Sequence, residues 1–90
     1  MVTRLHWHAL LRMHQRGASE QEVLDTVARG SLVPARRGRV GFRHPFRAAG
    51  TWRGRPYRRR QIFVYAVPEA NGWLVITVIV KYFRRKETLQ

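Results

Sequence analysis

The stretch Trp73 to Phe83, WLVITVIVKYF, decides the fold of this chain. It is rich in β-branched and aromatic residues and has no glycine, proline or acid, which is the composition of a strand buried on both faces. Successive side chains of a strand point to opposite faces, so at period 2 the stretch splits into two rows. Leu74, Ile76, Val78, Val80 and Tyr82 form one row, expected to anchor the helices. Trp73, Val75, Thr77, Ile79, Lys81 and Phe83 form the other, apolar except for Thr77 and Lys81. Either burial is wasted there or that face carries a polar site.

Moving outward, Asn71 and Gly72 are the best hairpin residues in the chain, and they join this strand to a long one over Tyr57 to Val67. Pro68 leaves the register of that hairpin open. Arg53 to Pro56 reads as a turn, Phe46 to Trp52 as a strand, and Ser31 to Ala35 and Arg39 to Phe42 as short strands. Upstream of Gly30 the periodicity is helical. Thr3 is placed to cap a first helix that runs to Arg16 and stops at Gly17. Leu5, Ala9 and Met13, with Leu10 at the flank, give it an apolar stripe, while His8, Arg12 and Arg16 line a polar one. Ser19 and Glu22 form a capping box that opens a second helix through Val23, Leu24 and Val27 to Arg29. The expected fold is α+β: one small domain over residues 1–90, with two N-terminal helices packed on an antiparallel sheet of three to five strands.

No cysteine is present, which fits a reducing compartment and excludes disulfides and thiolate metal sites. No apolar run reaches the roughly 18 to 20 residues that a membrane span needs, and MVTRLHWH lacks the apolar core of a signal peptide. A cytoplasmic protein with no membrane association is expected.

Charge is the strongest compositional signal. The chain has 18 Lys and Arg against 5 Asp and Glu, a net +13. Arg36, Arg37, Arg39, Arg43, Arg47, Arg53, Arg55, Arg58, Arg59 and Arg60 fall in one acid-free segment, whereas Glu20, Glu22 and Asp25 sit together. Such a field favours polyanions, and guanidinium groups suit bidentate contacts with phosphate, so RNA is the expected partner and these arginines, with Arg16, the expected contacts. Because Arg58 to Arg60 alternate in direction along a strand, at least one of them must leave the exposed side.

Metal chemistry fits poorly. Three of the five acids belong to the start of the second helix, one to the hairpin loop and one to the C-terminal tail, which gives no carboxylate site for a metal, and His6 and His8, two apart on a helix, would point about 200° from each other. Neither metal nor cofactor is expected. Phosphate-cradling glycine loops and serine or cysteine nucleophile motifs are absent from the sequence. The remaining groups, His, Arg, Lys, Tyr and Thr, suffice for attack of an RNA 2′-hydroxyl on its neighbouring phosphate: His moves protons while Arg and Lys stabilise the phosphorane.

The pattern H-x-x-x-R-x-x-x-R-G at His8, Arg12, Arg16 and Gly17, then S-x-x-E-V at Ser19 to Val23, then Gly30 and finally VITV at Val75 to Val78, resembles a widespread uncharacterised bacterial domain family. That family looks related to the BECR class of small toxin ribonucleases (barnase, EndoU, colicin and RelE types). The resemblance covers roughly Leu5 to Tyr82. It implies two helices on a curved antiparallel sheet, metal-independent endoribonuclease activity of toxin type, and an acidic antitoxin or immunity partner. It also implies catalytic roles for His8, Arg12 and Thr77. Lys81 and Tyr82 join that set on the strength of this sequence alone. The Arg36 to Arg60 segment is longer and more basic than the family pattern.

Structural roles stay open for the same residues. His8 beside the apolar stripe serves equally as a packing residue, Arg12 and Arg16 as solvated ones, Thr77 as a good strand former and Lys81 as a snorkelling chain end. Tyr57, Tyr65, Trp52 and Phe63 suit either base stacking or the core. Two rivals to the enzyme follow: a non-catalytic RNA-binding module, and a basic domain that docks an acidic protein.

Overall fold

The computed structural model describes residues 1–84. The order of elements is β1 (Val2–Leu5), α1 (Trp7–Arg16), α2 (Glu20–Arg29), β2 (Ser31–Val33), β3 (Val40–Phe46), β4 (Gly50–Trp52), β5 (Arg55–Tyr57), β6 (Arg59–Glu69) and β7 (Gly72–Phe83). Five strands form one sheet in the order β1-β7-β6-β3-β2, and β4 and β5 form a separate hairpin. The α+β class and the two helices are as expected, on a sheet of five strands. The sheet is mixed, because β1 pairs in parallel with the start of β7.

That strand corrects the reading of the N-terminus. Thr3 is not a helix cap but a strand residue, paired with Trp73. The alternating VTRL segment satisfies backbone groups of β7 that a helix would have left bare, and the His6 N–H extends the ladder to the Val75 carbonyl at 2.9 Å. The helix starts three residues later, with His6 as its cap: its Nδ1 accepts from the His8 N–H at 3.2 Å. Close approach of β1 depends on Gly72, where a Cβ would lie 1.9 Å from the Val2 carbonyl oxygen. The two ends of the helical region follow their sequence signals. Gly17 takes the left-handed conformation (φ 82°) that ends α1, and the Ser19/Glu22 capping box forms in full.

Several strand boundaries also differ: β2 ends at Val33, β3 runs on to Phe46, and Arg55 to Tyr57, expected as the end of a turn and the start of the long strand, form the separate strand β5. The predicted strand over Phe46 to Trp52 is divided between the end of β3 and β4, and the long strand begins at Arg59 and runs through Pro68 to Glu69. Pro68 is tolerated because it lies beside Trp73 near the hairpin end, where the ladder closes.

The two helices cover one face of the sheet. Ala9 and Met13 of α1 and Val23 of α2 are buried against Phe42 of β3, Ile62, Val64 and Ala66 of β6, and Val75 and Val78 of β7. The alternate residues of the same strands, Gln61, Phe63, Tyr65, Thr77, Ile79 and Lys81, all retain solvent exposure.

A bulge in β7 sets which residues these are. Tyr65 pairs with Thr77 and Ala66 with Val75, so Ile76 is an extra residue without a partner on β6. The single period-2 reading therefore holds only downstream of Ile76. Val78, Val80 and Tyr82 face the helices as expected, but upstream the rows exchange, and Val75 and Trp73 join the helix side in place of Ile76 and Leu74. Deletion of Ile76 would leave Val75, Thr77 and Val78 in regular alternation. The deleted protein should keep its fold at a cost of about 1 kcal/mol, whereas deletion of Ile79 flips every residue after it and should abolish cooperative unfolding. Thermal unfolding followed by near-UV circular dichroism distinguishes the two.

Candidate nucleic-acid interface

The uncovered sheet face interleaves cations with aromatic rings. Cross-strand partners share a face, and register places Arg43, Phe63 and Ile79 in one row across β3, β6 and β7, followed by Gly41, Tyr65 and Thr77 in another. Gln61 with Lys81 and Arg59 with Phe83 continue the array. Lys81 Nζ lies 5.1 Å from the centroid of Phe63, and the Arg59 guanidinium 4.5 Å from that of Phe83. The segment Pro34 to Arg39 rises beside Tyr65 and Thr77, and together they line a concavity of about 410 Å³ with Arg36, Arg37 and Arg39 at its rim.

The acids of the described residues stand apart from this surface. Glu20, Glu22 and Asp25 belong to α2, and Glu69, at the hairpin end, is held by Arg4 through two hydrogen bonds of 2.5 and 3.0 Å. Among the described residues the array of Arg43, Lys81 and the Arg36 to Arg39 turn thus keeps its positive field unneutralised.

The expected catalytic set is divided between surfaces. Thr77 and Lys81 lie on the uncovered face. His8 and Arg12 stand exposed on α1, the helix that packs on the other face, and Arg12 donates to Gln15 Oε1 at 3.1 Å. His8 stacks in a row of rings with Trp7 (3.7 Å) and His6 (5.1 Å). The rings of His6 and His8 are parallel and adjacent rather than opposed, because His6 precedes the helix; this corrects the expected 200° separation. Among the described residues no three metal-ligating side chains gather.

Tyr82 and several arginines are committed to holding α1 in place. The last carbonyls of a helix have no partner within it. Here three side chains from distant elements supply them: Arg53 donates to the Gln15 carbonyl (3.0 Å), Tyr82 to Arg16 (2.5 Å) and Arg60 to Gly17 (2.9 Å). Arg16 in turn donates to the Val78 carbonyl at 2.6 Å, on the stretch of β7 beyond the reach of β1. Trp52 stacks on Tyr82 at 5.9 Å and Tyr57 meets it edge-on at 5.1 Å, which fastens the β4–β5 hairpin to the same corner.

Arg60 is a correction to the expected RNA contacts. It is 7% exposed and forms an ion pair with Glu22 through both terminal guanidinium nitrogens. It is the member of the Arg58 to Arg60 run that turns inward. Of the ten clustered arginines, Arg36, Arg37, Arg39 and Arg43 are exposed on or beside the uncovered face and Arg59 lies half-buried on it, while Arg47, Arg53, Arg55 and Arg58 flank the hairpin, exposed. Sequence reading missed the capping roles of Tyr82 and Arg53. Gly17 caps α1 locally as its sequence indicates, so nothing near the helix end signals that the remaining carbonyls take donors from distant elements.

Burial of Glu22 raises its carboxyl pKa, but hydrogen bonds from Arg60 and Ser19 outweigh that effect and leave it below the ordinary value. Burial likewise pushes the Tyr82 hydroxyl up.

Fold and surface together define a small α+β protein with two helices on one sheet face and a basic, aromatic face left open. The chain belongs to the family described as a domain of unknown function, DUF4258, which matches residues 6–80. Comparison with curated proteins and with solved structures gave no match. No helix of the described residues is long and apolar enough to cross a membrane.

The Glu22 pair yields a test with a defined sign. A carboxylate whose folded pKa is depressed stabilises the protein fully above its unfolded pKa of about 4.3, and that contribution is lost as pH falls through the folded value. Glu22→Gln should therefore remove part of the acid sensitivity below that pH. Glu22→Ala, which strands the buried Arg60 cation, should cost about 3 kcal/mol at neutral pH in urea unfolding.

Proposed function

We propose that this protein binds single-stranded RNA on the uncovered face of its sheet. The carrying observation is the interleaving of Arg43, Lys81 and Arg59 with Phe63, Tyr65 and Phe83 on a face that no helix of the described residues covers. Unpaired bases stack on aromatic rings, and the cations between the rings track the phosphates. A sheet presents such rings at fixed spacing, so binding orders few side chains and loses little entropy. Arginine contributes twice, through forked phosphate contacts and through its planar face.

The second reading is metal-independent cleavage by a toxin-type ribonuclease related to the BECR class. Thr77, Lys81 and the nearby Arg36, Arg37 and Arg39 support it, since they can hold a phosphate and neutralise charge that develops on it. Acid–base work is the difficulty. Among the described residues none of the four histidines lies on the face of Thr77: His6, His8 and His14 belong to α1 and its cap, and His44 pairs with the core residue Ile62. The binding reading is preferred for that reason. An acidic protein that competes for the same face, as an antitoxin would, is compatible with either.

Binding measured by fluorescence anisotropy with a labelled single-stranded RNA should weaken steeply with salt, in proportion to the number of phosphates neutralised. The double variant Arg43→Glu/Lys81→Glu should lose at least about tenfold in affinity, and His8→Ala should bind as the wild type does. RNA incubated with pure protein in EDTA should remain intact; cleavage that disappears in His8→Ala would establish the enzyme instead.

A further inference from the structure

Two turns adopt a backbone conformation that their sequences make unfavourable. Arg37 and Gly38 have φ values of 60° and 73°, and Arg53 and Gly54 of 52° and 78°. Two consecutive residues with positive φ mark a type I′ turn, whose first central position normally holds Asn, Asp or Gly. Arginine has a Cβ and lacks the short polar side chain that settles Asn in this region, so each turn is strained at its arginine. For Arg53 the return is local: its guanidinium bonds the Gln15 carbonyl and lies 5.3 Å from the Trp52 ring centroid. For Arg37 the described residues show no hydrogen bond or ion pair, and its side chain is exposed. The turn itself is closed by the Arg39 N–H on the Arg36 carbonyl at 3.1 Å, which holds three arginines around one tip.

What Arg37 does face is the concavity over Tyr65 and Thr77. A Cβ at Gly41 would meet Tyr65 Cε1 at 3.0 Å and Val33 Cγ2 at 2.7 Å, so the glycine allows the Tyr65 ring to settle against β3 beneath the arginine turn. A volume of about 410 Å³ falls in the range of roughly 300 to 1,000 Å³ typical of small-ligand pockets. We infer that this concavity holds one unpaired nucleotide of a bound RNA, its phosphate on the Arg36–Arg39 turn and its base on the Tyr65 ring, with the Thr77 hydroxyl available to the base edge. The inference rests on the RNA-binding reading and specifies where on the face a base is read. A duplex keeps its bases stacked inside and offers Tyr65 nothing to stack on, so the preference is for single strands.

The strained arginine provides the test, because a structural role and a binding role predict opposite outcomes. Arg37→Asn fits the turn better and should melt a few degrees above the wild type. It should also bind a short single-stranded RNA about fivefold more weakly, with a salt slope reduced by about one. Tyr65→Leu should weaken binding by about tenfold or more. If Arg37→Asn binds as tightly as the wild type with the same salt slope, or if it melts lower, the nucleotide site is wrong. If Arg43→Glu/Lys81→Glu still abolishes binding in that case, the RNA-binding face survives without it. Wild-type protein that binds no RNA would overturn both.

Discussion

One extra residue, Ile76, fixes which side chains of the longest strand meet the helices and which meet solvent. Upstream of it β7 holds β1 and puts Val75 and Trp73 into the core; downstream it puts Val78 and Val80 there and turns Thr77 and Lys81 outward. Without the bulge a single period would carry through the strand, and either the upstream or the downstream core residues would face water. The composition of the open face, and hence every functional reading of this chain, follows from that local shift in register. The bulge also lies where β1 ends and α1 begins, so the pairing of β7 changes from a strand to a helix that reaches back through Arg16.

The positive charge of the chain is spread over two kinds of work. Arg16 bonds the Val78 carbonyl of β7, and Arg53 and Arg60 bond carbonyls at the end of α1, Arg60 also pairing with Glu22; a guanidinium with five donors can satisfy several acceptors at once. They hold α1, the hairpin and the sheet at one corner. Among the described residues Arg36, Arg37, Arg39, Arg43 and Lys81 remain without an acid beside them, on or around the open face. A net +13 therefore overstates the charge available to a polyanion, but what remains is gathered beside aromatic rings.

Local signals in the sequence proved readable: the capping box at Ser19, the Gly17 stop and a hairpin between the two long strands rest on interactions within a few residues, although the turn falls on Ala70 and Asn71, with Gly72 already paired to Glu69. What was not legible depends on distant partners. VTRL looks like a helix approach until the bare edge of β7 is there to pair with it, and Ile76 looks like any other core residue in an unbroken apolar run. The same limit applies to the site. Arg59 and Arg60 are neighbours of identical type, and only the sheet pairing shows that one lies over Phe83 on the open face while the other is buried against Glu22. The division of His8 from Thr77 is likewise a property of layers, which spacing along the chain does not encode.

The central claim is that RNA meets the face opposite the helices. Amide and side-chain chemical shifts of isotopically labelled protein, titrated with a short single-stranded RNA, test it most directly. The account predicts that the largest changes map to Arg43, Phe63, Tyr65, Thr77 and Lys81, with Trp7, His8 and Arg12 unchanged. Changes centred on Trp7, His8 and Arg12 would contradict it.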